Sequence, residues 1–385
     1  MRIGIFTNNY LPARGGVATA SELLRRGALA LGHEPYVFAP RFPGYADRFS
    51  GVFRYPSFPA LTYPDFSLAI PFSPRIARAV KHLQIDVFHA QHPFLLGQAA
   101  RRLAQRYGRP LVFTYHTRYE KYAHYVPFHR GVVERVAIRR SVAFASQADL
   151  VVAPSQGIRR FLEEQGVLSP TVVLPTGVEI DAFTPGDRAA ARYALGLPAA
   201  GPVLLSVGRL DREKSVELLL TAFEHVTAGM PAARLVLVGQ GKETDRLRAL
   251  AERLGCGDRI HFAGGFPREE LPAYYRAADL FLFASQTETQ GLVLAEAHAC
   301  GLPAVAVCAP GVDETVRDGE TGVLTKPDAR ELADAAVRLL LDRAGRQAMG
   351  KQARQLAERE FSAHRQVGKL LILYERLLAG EVYFT

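Results

Sequence analysis

A strand–helix alternation that occurs twice along the chain confines it to a small class of folds. In the first half, short apolar runs at Arg2–Phe6, Pro35–Ala39, Val87–His89, Leu111–Thr114, Leu150–Ala153 and Val172–Leu174 alternate with helical periods at Val17–Leu31, Pro74–Leu83, Leu95–Tyr107, Val132–Ser146 and Gln156–Gln165. The second half repeats the plan. Its strands are expected at Val203–Val207, Arg234–Val238, Ile260–Phe262, Leu280–Phe283 and Ala304–Val307, and its helices at Val216–Thr227, Glu243–Leu254, Glu270–Ala277, Val293–Ala299 and Ala329–Leu341. Short runs without polar alternation suit strands covered on both faces, as in parallel sheets. Two doubly wound α/β domains follow, with a seam in the Pro-, Gly- and Ala-rich stretch Pro175–Pro202. The expected boundaries are 1–180, 181–360 and a terminal helical segment 361–385, inside a stretch, Gly345–Leu378, that reads as one or two long helices.

A chain of 385 residues that is 48% apolar and 22% charged is neither disordered, collagenous nor a coiled coil. Its longest apolar runs, such as Leu280–Ala284, are too short to span a bilayer. The apolar start Met1–Phe6 stops at Thr7-Asn8-Asn9, too soon for a cleavable signal core, so a soluble, cytoplasmic protein is expected. Cys256, Cys300 and Cys308 lack the spacing of a disulfide framework or zinc ribbon, and Cys300 and Cys308 are expected as small buried apolar groups. Charge is uneven. Residues 1–180 hold 22 basic and 11 acidic side chains, and residues 181–385 hold 25 and 27. Such asymmetry suits a polyanionic surface, either nucleic acid or anionic lipid, although a basic half without a polyanion partner has the same composition.

In doubly wound domains, ligands bind at the carboxyl ends of the strands, which directs attention to the strand-end loops and to a cleft between two such domains. After the first strand comes Asn8-Asn9-Tyr10-Leu11-Pro12-Ala13-Arg14-Gly15-Gly16, whose glycines open a helix and present bare amides. It is not the G-x-G-x-x-G of dinucleotide sites. In the loop Gly208–Ser215, Arg209 and Lys214 bring a planar fork and a point charge suited to phosphate oxygens. Glu288 follows a buried strand, Glu296 lies eight residues on in the next helix, and Gly291 and Leu292 put amides at that helix's start. This arrangement suits a diphosphate flanked by sugar and ribose hydroxyls; an acid/base carboxylate pair is the competing use. Gly239-Gln240-Gly241-Lys242 lacks Walker A spacing, and His89, His92, His116, His124 and His129 do not follow a zinc pattern, so no metal site is expected.

Together these residues resemble the retaining family 4 glycosyltransferases of the GT-B fold. The matching pieces are Gly15-Gly16, Tyr115-His116-Thr117, Arg209 with Lys214, Gly264-Gly265-Phe266, and the E-x7-E pair Glu288 and Glu296, in family order across nearly the whole chain. The resemblance implies that Gly15 and Gly16 meet the donor phosphate or acceptor and that Arg209 and Lys214 hold the diphosphate and neutralise the leaving group. It further implies that His116 and Glu288 bind the donor sugar, and that Thr289, Gln290, Gly291 and Leu292 surround it. Glu296 would take the ribose hydroxyls, and Gly265 and Phe266 would meet the base. His116, Arg209, Lys214 and Glu288 are thus the expected catalytic set, with no cofactor or metal. The terminal helices are expected to return to the first domain.

Where many members read Glu-Gly-Phe-Gly, this chain has Glu288-Thr289-Gln290-Gly291, and with the Tyr115–Val126 segment it looks like the diacylglycerol glucosyltransferase branch. A UDP-sugar donor, a lipid acceptor and peripheral attachment to the inner face of the plasma membrane are therefore expected, without nucleic acid. The residues themselves offer a basic helix around Arg130–Ala145, with Arg135 and Arg139 on one face, Arg140 at its edge, and Val133, Ala137 and Phe144 opposite. Tyr10, Tyr119, Tyr122 and Tyr125 are expected on the acceptor or membrane side. A GDP-mannose-dependent mannosyltransferase, a phosphorylase or epimerase of similar architecture, and a basic nucleic-acid-binding protein are the alternative readings.

Overall fold

The computed structural model describes residues 1–13, 15–60, 63–121 and 130–381. The chain forms two units, Met1–Gly177 with Ala363–Thr385, and Val178–Ser362. In the first, β1 (Arg2–Phe6), α1 (Gly16–Ala30), β2 (Glu34–Pro40) and β3 (Val52–Tyr55) lead into a hairpin of β4 (Ser57–Ala60) and β5 (Tyr63–Ala69). Then follow α2 (Pro74–Leu83), β6 (Val87–Ala90), α3 (Leu96–Tyr107), β7 (Leu111–Thr114), α4 (Arg130–Ala145), β8 (Leu150–Ala153), α5 (Gln156–Glu164) and β9 (Thr171–Val173). The second unit runs α6 (Arg188–Ala194), β10 (Val203–Val207), α7 (Val216–Gly229), β11 (Arg234–Val238), α8 (Thr244–Arg253), β12 (Ile260–Gly264), α9 (Leu271–Ala277) and β13 (Leu280–Phe283). It continues through α10 (Leu292–Ala299), β14 (Ala304–Val307), β15 (Gly322–Thr325), α11 (Ala329–Leu341) and α12 (Arg343–Glu360). The last helix, α13 (Ala363–Leu378), belongs to the first unit.

Each unit is built on a parallel sheet, ordered β3-β2-β1-β6-β7-β8-β9 and β12-β11-β10-β13-β14-β15. The reason is visible in how side chains partition. Val203, Leu205 and Val207 of β10 enter one core while Leu204 enters the other, and Phe281 and Phe283 of β13 part likewise from Leu280 and Leu282. A strand apolar on both faces must be covered twice, which is what crossover helices do. α13 covers one face of the first sheet: Val367, Leu370, Leu371 and Tyr374 join the core that holds Ile3, Ile5 and Leu24.

In each sheet the strand order reverses once beside the first strand, between β1 and β6 and between β10 and β13. There the outgoing loops diverge to opposite faces and leave a crevice at the carboxyl ends. The fold is GT-B-like: two Rossmann-like α/β units of parallel sheet.

Candidate functional site

In the second unit, the residues singled out in the sequence gather at the switch point. The loop after β10 carries Arg209 and Lys214, and the loop after β13 carries Glu288. Lys214 Nζ donates to Glu288 Oε1 at 2.6 Å. Burial works against charge on Glu288, but the Lys214 ammonium, the Ser285 hydroxyl and the Arg209 guanidinium outweigh it and hold the carboxyl below its ordinary value. Arg209 is gripped by two carboxylates, Asp211 and, at 2.6 Å, Glu213. Both acids are buried, and the Asp211 Oδ1 also accepts from the Lys242 amide at 2.8 Å. The fork of Arg209 is therefore fixed before any ligand arrives. Asp211 and Glu213 escaped the sequence reading because acids near a basic loop are common, their one signal being the i, i+2 and i, i+4 spacing from Arg209, and Ser285 had no local signal.

The Gly239-Gln240-Gly241-Lys242 stretch has a packing role. A Cβ at Gly239 would collide with the carbonyl of Gly208, and its backbone is in the positive-φ region at 145°. The loops after β10 and β11 thus lie backbone against backbone, seating Arg209.

The segment after Glu288 is clamped from behind. Thr315 Oγ1 donates to the Gln290 carbonyl at 2.7 Å, and Gly311 lies close against Thr289. Gly291 adopts φ 77° as the cap of α10, so the helix starts with Leu292 and no side chain covers its first amides. Glu296, one turn in, is 1% exposed. Its carboxylate accepts from the Tyr275 hydroxyl at 2.8 Å and from Arg268. Gly265 and Phe266 follow β12, with the Phe266 ring leaning on Tyr274 at a centroid separation of 5.1 Å.

In the first unit the corresponding loops hold Gly15 and Gly16, exposed at the start of α1 with no side-chain cap and with nothing within 4 Å of a Cβ at Gly16. Asn8 ties this loop to the next, donating to the Phe94 carbonyl at 3.0 Å and accepting from the Leu96 amide at 3.1 Å. His116, after β7, bonds Gln91 at 2.6 Å through Nε2. Burial, together with His92 and His89, pushes it down to about 3, so its imidazole is neutral at physiological pH.

Several expectations need correction. Tyr10 is fully buried, its hydroxyl donating to Glu22 at 2.6 Å, so it presents nothing to acceptor or membrane. Tyr119 packs edge-on against Tyr115 and Phe94 in the core's margin instead of standing at an interface. Tyr122, Tyr125, His124 and His129 lie outside the described residues. Cys300 is buried, whereas Cys308 is exposed just past the end of β14.

Arg135, Arg139 and Arg140 are exposed on α4, with Phe144 buried behind them. The sequence reading missed that Val132 and Val136 share the exposed face, at 48% and 51%. It also missed the β4–β5 hairpin, where Phe58 pairs with Leu68 and both are exposed, as are Ile70 and Phe72 beyond it. α3 lies between: Arg102 donates to the Pro71 carbonyl at 2.8 Å, while Gln98 and Arg101 line a groove with Arg140 and Ala143. Among the described residues no helix is long and apolar enough to cross a membrane, and no three His, Cys, Asp or Glu side chains group as metal ligands.

Residues 187–356 match the family profile described as "Glycosyl transferases group 1", and residues 14–182 match "Glycosyltransferase Family 4". The chain is 31% identical over 350 residues to an alpha-monoglucosyldiacylglycerol synthase of Streptococcus pneumoniae, covering 89% of this chain and 78% of the relative. It is 33% identical over 373 residues to a GDP-mannose-dependent alpha-(1-6)-phosphatidylinositol monomannoside mannosyltransferase of Mycolicibacterium smegmatis, covering 92% and 93%. Among solved structures it superposes on a sucrose-phosphate synthase from Thermosynechococcus elongatus with a TM-score of 0.85 and 28% identity, over 98% and 99% of the two chains.

Proposed function

Because the chain belongs to the family 4 glycosyltransferases and is an enzyme of glycosyl transfer, we propose that it moves the hexose of UDP-glucose or a similar UDP-hexose to a membrane lipid such as diacylglycerol, with retention and without a metal ion. The observation that carries this reading is the Lys214–Glu288 ion pair beside the clamped Arg209 at the switch point of the second sheet. A diphosphate there meets two cations and the open amides of α10. Binding draws the ammonium toward the phosphates and frees Glu288 to accept from sugar hydroxyls. Glu296, oriented by Tyr275 and Arg268, keeps a second lone pair on each oxygen for a ribose diol.

In the transfer step the bond from the anomeric carbon to the phosphate oxygen breaks and a bond to the acceptor oxygen forms on the same face. The acceptor's proton passes to the departing phosphate, so no carboxylate nucleophile is used. Catalysis is then positioning plus stabilisation of the developing diphosphate charge by Arg209 and Lys214. The neutral His116 serves as a hydrogen-bond partner of the donor sugar, not as an acid.

The lipid acceptor is supported by the pneumococcal relative and by the first unit, which holds 25 basic and 12 acidic residues. The hairpin and the α4 face add exposed apolar side chains to that charge, the combination that seats a protein on an anionic bilayer. Replacing Arg135, Arg139 and Arg140 together by Gln is expected to weaken binding to phosphatidylglycerol vesicles on the order of a hundredfold, at ~1 kcal/mol per basic residue, and to leave binding to phosphatidylcholine vesicles unchanged. Sedimentation that does not distinguish the variant from wild type removes the membrane assignment.

A mannosyl reading has its own support in the mycolicibacterial relative, named for GDP-mannose. A turnover panel with UDP-glucose, UDP-galactose, UDP-N-acetylglucosamine and GDP-mannose, using diacylglycerol in micelles with anionic lipid, separates the two. Glucolipid from UDP-glucose, with chelator present, is the expected product. Product from GDP-mannose alone overturns the UDP assignment, and donor hydrolysis without lipid product overturns the acceptor.

A further inference from the structure

A cavity of about 630 Å³ in the second unit lies at the end of the strands opposite the loops described above. Asp279 and Pro303, which line it, immediately precede β13 and β14, so in a parallel sheet it sits at the amino ends of the strands. Its wall carries six cations and one carboxylate, in a unit that otherwise holds more acids than bases, 26 against 22. Four of the cations, Arg343, Arg346, Lys351 and Arg354, project from one face of α12 at i, i+3, i+8 and i+11.

The cations divide by use. Arg354 is spent on the Ile180, Phe183 and Ala299 carbonyls, and Arg276 on the Ala182 and Thr184 carbonyls. These hold the entry segment of the unit in place. Arg346 gives only Nη1 to the Leu339 and Leu340 carbonyls. Asp279 is already bonded by Arg188 at 2.9 Å and Arg192 at 2.6 Å, and lies 3.9 Å from Arg346. Arg343 and Lys351 are exposed and make no hydrogen bond or ion pair within the described residues. Burial and the nearby Arg188 and Arg343 pull the Arg346 guanidinium below its ordinary value, Asp279 notwithstanding. Asp279 is the one carboxylate in the lining, and with Glu358 taken by Arg354 at 2.6 Å and Asp342 near Arg346 the cluster still has donors to spare, around a hollow of ligand size.

We propose that this cavity is a second anion site that binds a phosphate-bearing ligand, with Arg343, Arg346 and Lys351 as its phosphate donors. It is distinct from the Arg209 and Lys214 loop and independent of the donor and acceptor assigned above. The phosphate can come from a soluble phosphomonoester or from an anionic lipid headgroup, since both offer the same oxygens.

Calorimetric titration at constant ionic strength, with inorganic phosphate and with glycerol 3-phosphate, tests the site in wild type, in R343Q/K351Q and in K214A. Both exchanged residues are exposed, so the double variant should keep its circular dichroism melt. Saturable binding weakened at least tenfold in R343Q/K351Q and retained in K214A supports the site with a soluble source. If soluble phosphates do not bind, co-sedimentation with phosphatidic acid in phosphatidylcholine vesicles that falls at least tenfold in R343Q/K351Q supports it with a lipid source. Phosphate binding unchanged in the double variant, or lost in K214A instead, overturns the proposal, as does the absence of any R343Q/K351Q effect with either source.

Discussion

Lys214→Ala is expected to lower turnover by roughly 10²–10³, the loss typical of removing one donor to developing transition-state charge. The ion pair with Glu288 adds a consequence that a simple phosphate contact would not have. Without the ammonium, burial is the dominant influence on the Glu288 carboxyl, whose value must rise. Residual activity of Lys214→Ala should therefore decline on acidification at a higher pH than wild-type activity does. The sign follows because the ionised carboxylate is the form proposed to accept from sugar hydroxyls, and a raised value protonates it earlier. Glu288→Gln separates the two effects: it removes the acid limb but leaves Lys214 free to meet the diphosphate. In the Glu288→Gln background, Lys214→Ala should still cost turnover but no longer move the pH profile. A Lys214→Ala enzyme with near-wild-type turnover in the presence of chelator would remove Lys214 from the mechanism.

Much of this arrangement was legible because both sheets are parallel. A strand covered twice shows as an unbroken apolar run, and Leu111–Thr114, Leu150–Ala153, Val203–Val207, Arg234–Val238, Leu280–Phe283 and Ala304–Val307 have the observed boundaries. The misses share a physical cause. β4 and β5 contain Pro59 and Pro64 and put Phe58 and Leu68 outside and the small Ala60, Ser67 and Ala69 inside, so no apolar run marks them. β3 and β15 are edge strands, half-buried along much of their length. α6 sits within the stretch read as a seam; its Asp187 cap, bonding the Ala189 and Ala190 amides, was a usable signal amid the prolines and glycines.

At the site, residue identity and spacing brought Arg209, Lys214, Glu288 and Glu296 into view, but not the groups that orient them. Arg268 and Tyr275 reach Glu296 across 28 and 21 residues, and Thr315 reaches Gln290 across 25. Such contacts depend on which strand ends become neighbours, which strand order decides and local pattern does not. The same applies to the exposed face of α4: arginine spacing was readable, whereas the exposure of Val132 and Val136 depends on what the helix leaves uncovered.

The largest stability effect should come from acid, and it should fall on the first unit. His89 is buried there and His92 and His116 are half-buried, and desolvation pushes them down to about 3, about 4 and about 3, with His92 and His89 adding to the effect at His116. His89 lies between the Thr114 hydroxyl at 2.7 Å and the Tyr374 hydroxyl of α13 at 2.5 Å. His92 Nδ1 accepts from the Asn8 amide at 3.2 Å. None of these partners is a carboxylate that could balance an imidazolium. In the unfolded chain each histidine titrates near 6.5, so between about 6.5 and 4 the unfolded state holds more protons and stability rises with pH. The contribution is complete above the unfolded value and drains away as pH falls toward the folded ones. At pH 5 a fully buried group such as His89 costs on the order of 2 kcal/mol, a sizeable share of the ~5–15 kcal/mol that holds a typical domain together, and His92 and His116 act in the same direction. In the second unit His298 is depressed in this way, to about 4. Hydrogen exchange read by mass spectrometry should accordingly show peptides from 1–177 and 363–381 losing protection between pH 6.5 and 4.5, while β10, β13 and β14 stay protected. His89→Asn, which removes one titrating group, should make that loss shallower. Simultaneous loss in both units, or earlier loss in the second, would show that the buried histidines do not govern acid unfolding.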